Sequence, residues 1–435
     1  MAEPQRRDAR RGRGRFAANA GYGAVISARL SSSMRSFHPA AAFALLAAAC
    51  AGPPDLSDVT GARATREVLG SDYGSALSRS TAEEQARMEA GRVEFTHNRD
   101  PGSGLGPVMN GLSCSACHDS PPAIGGTNQR LETRFGRRNL DGSFDPLVSL
   151  GGPTLQDESI GLVNGVSWAP ETVPSSANVV AQRRTTPVFG LGLVDATPDA
   201  TFTAVAEWER THYSELAGRP AMVRDLAKDA DAVGRFGWKA SHPTLLQFTA
   251  EAFLNEMGIT TPIFPNENCP GGDCASLASN PAPGVNDPEG AALARAANFM
   301  TFLGPPPRGQ NAPSGGAEVF ARIGCSVCHQ QTLVTGPNAS AALDRVAYHP
   351  FSDFLLHEMG TLGDGIDQGD ARGTEMRTAP LWGLSFQRTL LHDGRAKSVE
   401  SAILAHDGQG KAARDRFAAL PDSQRSGLLL FLQSL

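Results

Sequence analysis

Apolar positions recur at helical spacing over three stretches of the chain. At the C-terminal end Phe417, Leu420, Leu428, Leu429, Phe431, Leu432 and Leu435 fall on one face of a predicted amphipathic helix, with Asp422 or Ser423 as its N-cap. After Ser398, a second N-cap, Val399, Ala402, Ile403 and His406 share a face at i, i+3/4 and i+7. Residues 200–258 carry the same periodicity, as in Leu245, Leu246, Phe248, Ala252, Phe253 and Met257. Residues 120–180 are rich in Gly, Pro and Ser and read as loop. Helices dominate the pattern, with few strand-like runs.

The N-terminal region differs. Basic Arg35 is followed by about ten apolar residues from Ala40 to Ala49, the length of an export-signal h-region and short of the ~18–20 that cross a bilayer. The segment ends in Leu46-Ala47-Ala48-Ala49-Cys50, which resembles a bacterial lipoprotein signal with Cys50 as the acylated residue. Ordinary cleavage near Ala49, with Cys50 incidental, is the alternative. Residues 1–33 are then a long n-region or lie ahead of a true start at Met34. The expected location is the periplasm, with a lipid at Cys50 reaching the membrane.

The 435 residues allow two or three domains, each large enough for a core. The first fifty contain eight arginines and two acids; without them the formal net charge moves from −6 to −12. An acidic body argues against binding nucleic acid.

Seven cysteines sort into four groups. Cys50 is the lipid candidate. Cys269 and Cys274 sit in a turn-rich Cys-Pro-Gly-Gly-Asp-Cys loop that can close as a disulfide or leave two free thiols. The rest form two CxxCH motifs, Cys114–His118 and Cys325–His329, the attachment signal for c-type haem. Two thiols spaced by a short turn add across the vinyl groups of one haem, and the adjacent histidine becomes the proximal iron ligand. A zinc site would need four gathered ligands, and neither motif has a second CxxC at ribbon spacing.

Each haem motif belongs to a longer repeat. Gly91-Arg-Val-Glu-Phe95 precedes the first and Gly316-Ala-Glu-Val-Phe320 the second. Arg184-Thr-Thr-Pro-Val-Phe-Gly-Leu191 follows the first and Arg377-Thr-Ala-Pro-Leu-Trp-Gly-Leu384 the second. The repeat predicts two tandem cytochrome c-like haem domains, the first elaborated with long loops and extra helices. The expected boundaries are 1–50 for the signal region, 51–80 for a flexible tether, 81–304 for the N-terminal haem domain, and 305–435 for the C-terminal one, which opens after Pro305-Pro306-Pro307.

The stretches GLGPVMNGLSCSACH, RRTTPVFGLGLVDATP, RFGWKA, GCSVCHQQTLVTG, MRTAPLWGL and LLHDGRAKSVESAILAH, over roughly residues 80–435, resemble the di-haem oxidoreductase family. That family is related to bacterial di-haem cytochrome c peroxidases and the MauG group, and its members are often labelled thiol oxidoreductases. The resemblance implies an all-α fold with two covalently bound c haems, one transferring electrons and one meeting peroxide. The partners it implies are hydrogen peroxide or another oxidant and a small periplasmic electron donor such as a cytochrome c or cupredoxin. In the related peroxidases, the HDG motif precedes the distal ligand of the electron-transfer haem by fourteen residues, commonly a methionine. Counting from His392 reaches His406, which would make that haem bis-histidine and lower its potential. Met359 and His357 are fallback ligands.

After His118 no histidine occurs until His212, which favours an open iron at the first haem. Met257 or Met109 closing it is the alternative. Peroxide cleavage needs a proton-carrying group, for which Glu256 and Asp195 are the candidates. Trp238 and Trp382 are candidate electron conduits, and Arg184 and Arg377 candidate partners of haem propionates. Gly363–Asp370 is an Asp/Gly loop that calcium could occupy, without EF-hand spacing, or that is simply solvated. The expected function is a peroxidase-like oxidoreductase; the alternatives are an electron carrier with both haems six-coordinate and an oxidase of a protein or thiol partner.

Overall fold

The repeated Gly-x-x-x-Phe segments mark the same helix crossing twice. The computed structural model describes residues 59–119, 122–309 and 315–435. Its helices are α1 (Ala82–Thr96), α2 (Leu191–Asp195), α3 (Asp199–His212), α4 (Leu245–Met257), α5 (Ala291–Phe302), α6 (Gly316–Arg322), α7 (Val399–Leu404), α8 (Lys411–Ala418) and α9 (Asp422–Gln433). α1 opens with a capping box: Glu84 N–H donates to Thr81 Oγ1 and Thr81 N–H to Glu84 Oε2. Gly91 then lets α1 lie directly on α5, because a Cβ there would stand 2.3 Å from Arg295 O. In the second half a Cβ on Gly316 would stand 2.5 Å from Gly427 O, where α6 meets α9. One turn on, Phe95 stacks near Phe299 at 4.8 Å and Phe320 near Phe431 at 5.7 Å.

The chain is not all-α. It is mixed, 33% helical and 15% strand, with several small sheets. Leu131–Arg138 pairs antiparallel with Val179–Arg184, in register Glu132↔Arg183 and Arg134↔Ala181. This sheet lies partly within the segment expected to be loop. Arg134, Arg183 and Arg184 are all buried in this sheet, on both of its faces, so no aliphatic alternation announces it. A hairpin of Ala221–Asp225 and Ala230–Gly234 also interrupts the stretch expected to be helical between α3 and α4. At the C-terminus the expected amphipathic helix is split into α8 and α9, with Pro421 rather than Asp422 or Ser423 at the cap position of α9. The Ser398 cap forms as expected, accepting from Ser401 N–H at 3.1 Å.

The described part of the expected tether is built into the body. Arg66 and Glu67 pair in parallel with Val346 and Ala347, and Val68 and Leu77 are buried. The largest apolar cluster joins Phe189, Phe202 and Phe299 to Tyr348, Phe354 and Trp382, so the core crosses the 304/305 boundary. A buried Thr197–Tyr348 hydroxyl pair at 2.7 Å ties the same halves. Cys269 and Cys274 form a disulfide. No helix among the described residues is long and apolar enough to cross a membrane. The signal region and Cys50 lie outside the described residues.

Candidate functional site

Each CxxCH motif folds as a short 3-10 turn in which the histidine N–H donates to the first cysteine carbonyl, at 2.9 Å for both His118 and His329. The crossing helices set the turns in place: Phe95 lies 6.0 Å from the His118 ring and Phe320 6.3 Å from His329. Each turn forms one wall of an open-sided cavity; counting the solvent at its mouth, the space is about 1250 Å³ for the first and about 1450 Å³ for the second. Burial pushes the Cys114, Cys117 and Cys325 thiols up to about 12, 11 and 12. Such thiols are neutral and poor nucleophiles, the reverse of a reactive dithiol pair.

Burial also holds His118 and His329 down at about 4, so both imidazoles are neutral, the form that ligates metal. His329 Nδ1–H donates to Phe351 O at 2.9 Å, which leaves Nε2 as the free ligand atom. His406 stands just past α7 in the second cavity and is fixed the same way, with Nδ1–H donating to Ala402 O at 2.8 Å. His118 Nδ1 is buried without a hydrogen-bond partner. Among the described residues no other histidine lines the first cavity, whereas His357, His392 and His406 line the second. His357 is committed elsewhere: its Nε2 meets Asp353 Oδ2 at 3.0 Å. Met359 shares the second cavity's wall with His406.

The two R-T-x-P blocks place equivalent cations. Burial pushes Arg184 and Arg377 down to about 10, offset for Arg377 in part by Asp353. Arg184 Nη1 has no partner, and Arg377 is held by the carbonyls of Gly237 and Thr378. Neither guanidinium has a carboxylate bonded to it among the described residues. Buried cations left open toward a cavity fit a ligand that brings its own carboxylates. Together with the neutral histidines and the paired thiols, they fit haem c.

Trp238 and Arg184 line both cavities, and His392 stands 6.3 Å from the Trp238 ring. Trp382 lines neither; it packs in the core against Tyr348. Glu256 lies on the first cavity, where burial and the neighbouring Glu132 push it up to about 8. Asp195 is off the cavity. Its carboxylate accepts from Leu245 N–H at 2.8 Å and holds the start of α4, so it is corrected from catalytic candidate to helix anchor. Met257 is on the first cavity's wall and Met109 is not. Sequence reasoning missed Asn110, Glu132, Arg134 and Glu251, which surround Glu256; the charged alternation Glu132-Thr133-Arg134 was their only signal.

The loop 363–370 does not fit calcium. Asp364 is taken by Lys239 Nζ at 2.9 Å and by Arg183 Nε at 2.7 Å, Asp367 by Arg138, and Asp370 by Arg219. Protein cations therefore occupy the carboxylates that a metal would need. Cys328, Asp353 and His357 place ligand atoms within 4.8 Å of one another. A CxxCH zinc site would enlist Cys325 as well, and it is not among them.

A search of curated proteins finds no match. Among solved structures, hydrazine synthase of Kuenenia stuttgartiensis is similar at 13% identity and a TM-score of 0.37, covering 95% of this chain and 100% of that one. The dihaem peroxidase BthA from Burkholderia thailandensis E264 is similar at 13% identity and a TM-score of 0.37, covering 86% and 92%. A family model described as "Di-haem oxidoreductase, putative peroxidase" matches residues 174–435, which include both R-T-x-P blocks and the second CxxCH motif. That match spans more than half of the sequence, and the chain belongs to the di-haem oxidoreductase family.

Proposed function

We propose that this protein is an exported, peroxidase-like oxidoreductase carrying two covalently attached c haems, one at Cys114, Cys117 and His118 and the other at Cys325, Cys328 and His329. Bound haem would supply one-electron transfer where protein ligands saturate its iron and peroxide reduction where they do not. His329 and His406 would hold the haem of the second cavity, which would receive electrons from a small periplasmic cytochrome c or cupredoxin. The first cavity offers His118 alone and takes hydrogen peroxide. Glu256 holds a proton there and Asn110 orients its carboxyl. Arg184 and Arg377 neutralise the propionates, and Trp238 spans the wall between the cavities. A lipid at Cys50 anchors the protein to a membrane facing the periplasm.

The observation that carries this reading is the asymmetry in histidines among the described residues: His118 alone on the first cavity, and on the second His406, close enough to His329 to help lower its basicity. Low-temperature EPR of the oxidised protein, with His406→Ala alongside, tests it. One high-spin and one low-spin ferric signal, with only the low-spin signal disturbed in the variant, is expected. Two low-spin signals with no spectral response to hydrogen peroxide would overturn it. Met257, on the wall of the first cavity, supports the second reading, an electron carrier with both irons six-coordinate, and that outcome would favour it. Oxidation of a thiol partner ranks last, because the four motif cysteines are half-buried, with their thiols shifted toward the neutral form.

A further inference from the structure

We propose that the Cys269–Cys274 disulfide is a redox-operated latch on the wall of the first cavity: its reduction by a dithiol releases the last turn of α4. The inference goes beyond the reading above and does not depend on what reacts in that cavity.

α4 ends in carbonyls that its own turns cannot satisfy, and elements outside the helix take them up. Gly106 N–H donates to Met257 O at 2.9 Å, and the N–H groups of Asn110 and Gly111 donate to Glu256 O at 2.8 and 3.1 Å. These donors lie in the segment that leads into the Cys114 turn. Asn255 is held from another side. Its carbonyl accepts from Gln156 Nε2 at 3.1 Å. Its Nδ2 donates to Glu251 Oε1 at 3.1 Å, so Oδ1 faces Asn268 Nδ2, which donates to it at 2.9 Å.

Both clamps on Asn255 lead to the disulfide. Asn268 is the residue before Cys269. Gln156 is buried, and Glu171 fixes its backbone, accepting from Gln156 N–H through Oε2 at 2.9 Å. The other oxygen of Glu171, Oε1, accepts from Gly271 N–H at 2.7 Å, and Gly271 lies inside the ring that Cys269 and Cys274 close. Gly271 and Gly272 have φ of 56° and 86°, and a Cβ on Gly272 would run into Ser149 O. A Pro-Gly-Gly-Asp turn is costly to hold in one such shape, because glycine has the most freedom to lose. The cross-link removes much of that freedom in advance. Without it, the bond to Glu171 and the seat on Ser149 must order the turn alone.

The bond is within reach of a partner: Cys274 and Asp273 are exposed and Cys269 is half-buried. A thiolate of the dithiol attacks Cys274 Sγ, the Sγ–Sγ bond breaks, and Cys269 leaves as a thiolate that takes a proton. The second thiol of the reductant then displaces Cys274 and closes its own disulfide, so two electrons and two protons pass to the protein. Exchange with an oxidised partner reverses the step. The open turn lets go of Glu171 and Asn268 loses its fixed place, which frees Asn255. Glu251, Glu256 and Met257 line the first cavity from this end of α4, so the wall loosens with it.

The test compares the oxidised haem-loaded protein with the same protein after dithiothreitol and with a Cys269→Ser, Cys274→Ser double variant, which is open while its iron stays oxidised. Ascorbate, which reduces iron and leaves disulfides closed, is the control. Alkylation after dithiothreitol should label Cys269 and Cys274, since haem-bound cysteines do not react. Amide hydrogen exchange over residues 253–258 should quicken at least about tenfold in both open forms, while α9 keeps its protection. Dithiothreitol should add nothing to the double variant. Should that variant fail to load haem, the dithiothreitol arm decides alone. Two new labels with unchanged exchange at 253–258 overturn the inference, as does a disulfide that dithiothreitol leaves intact in the folded protein. Protection lost equally in α9 overturns it too, because the bond would then staple the whole chain rather than latch one wall.

Discussion

Trp238 donates its indole N–H to the backbone carbonyl of Arg184 at 2.9 Å, and the side chains of these two residues line both haem cavities. The hydrogen bond joins the RFGWKA segment to the first R-T-x-P block, and the Arg184 guanidinium sits 5.9 Å from the indole. Among the described residues the indole N–H meets a carbonyl, which cannot take its proton, so a charge crossing Trp238 would do so without deprotonation. Trp238→Phe should load both haems and react with peroxide at the first. The ensuing spectral change at the second should slow by at least about tenfold, as stopped-flow absorbance would show. An unchanged rate would assign Trp238 to packing alone.

Lys239, the next residue, is fully buried. It donates to the carbonyls of Arg372, Gly373 and Glu375, at 3.0, 3.3 and 2.6 Å, and pairs with the equally buried Asp364. Burial lowers its basicity and Asp364 opposes that shift. Lys239→Met leaves three carbonyls without their donor and Asp364 with Arg183 as its remaining cation. Removing one member of a buried pair costs about 3–5 kcal/mol. Urea unfolding of the haem-loaded variant should show a loss of that order, and chelator treatment of the wild type should leave its midpoint unchanged. A loss below about 1 kcal/mol would mean that water replaces the ammonium.

The features legible in the sequence are those fixed over short spans. The CxxCH pattern makes Cys114, Cys117 and His118 near neighbours along the chain, and the Gly91 and Gly316 crossings recur because each requires a glycine one turn before a phenylalanine. The sheet of residues 131–138 and 179–184 was hidden because Arg134, Arg183 and Arg184 stand where a strand's apolar positions usually lie. Asp195 and Glu256 could not be separated from sequence: both are acids near helix ends, and only the cavity wall distinguishes them. Glu132 meets Glu256 across more than a hundred residues, a pairing with no local trace.

The helix crossing gives a prediction whose sign is set by two opposing terms. Gly91→Ala inside α1 should gain about 1 kcal/mol of helix propensity. The new Cβ would lie 2.3 Å from Arg295 O and 2.7 Å from Phe299 N, both backbone atoms that cannot rotate away. Overpacking of this kind costs about 1–3 kcal/mol, so the variant should be destabilised overall. Denaturant unfolding checks the sign; a stabilised Gly91→Ala would show that α1 and α5 can separate freely.

The carboxyls on the first cavity's wall predict how stability varies with pH. For Glu251, burial favours the neutral form, but His242 and Arg134 outweigh it and hold the group at about 2, below its unfolded value of about 4.3. Its contribution is present above the unfolded value and is lost as pH falls from about 4 to 2. Glu256 has the opposite sign. Burial and Glu132 hold it at about 8, above its unfolded value, so between about pH 4.5 and 8 the folded state binds the extra proton and stability falls as pH rises. The pair therefore contributes most to stability near pH 4–5. Glu256→Gln removes the alkaline decline: its stability relative to the wild type should increase from pH 5 to pH 8, by a few kcal/mol as an order of magnitude. Glu251→Gln should instead lose its deficit as pH falls below about 4. Unfolding midpoints of both variants between pH 3 and 9 check this. A Glu256→Gln difference that stays flat with pH would mean that Glu256 ionises in the folded protein as it does in the unfolded chain, and would leave the first cavity without its proton store.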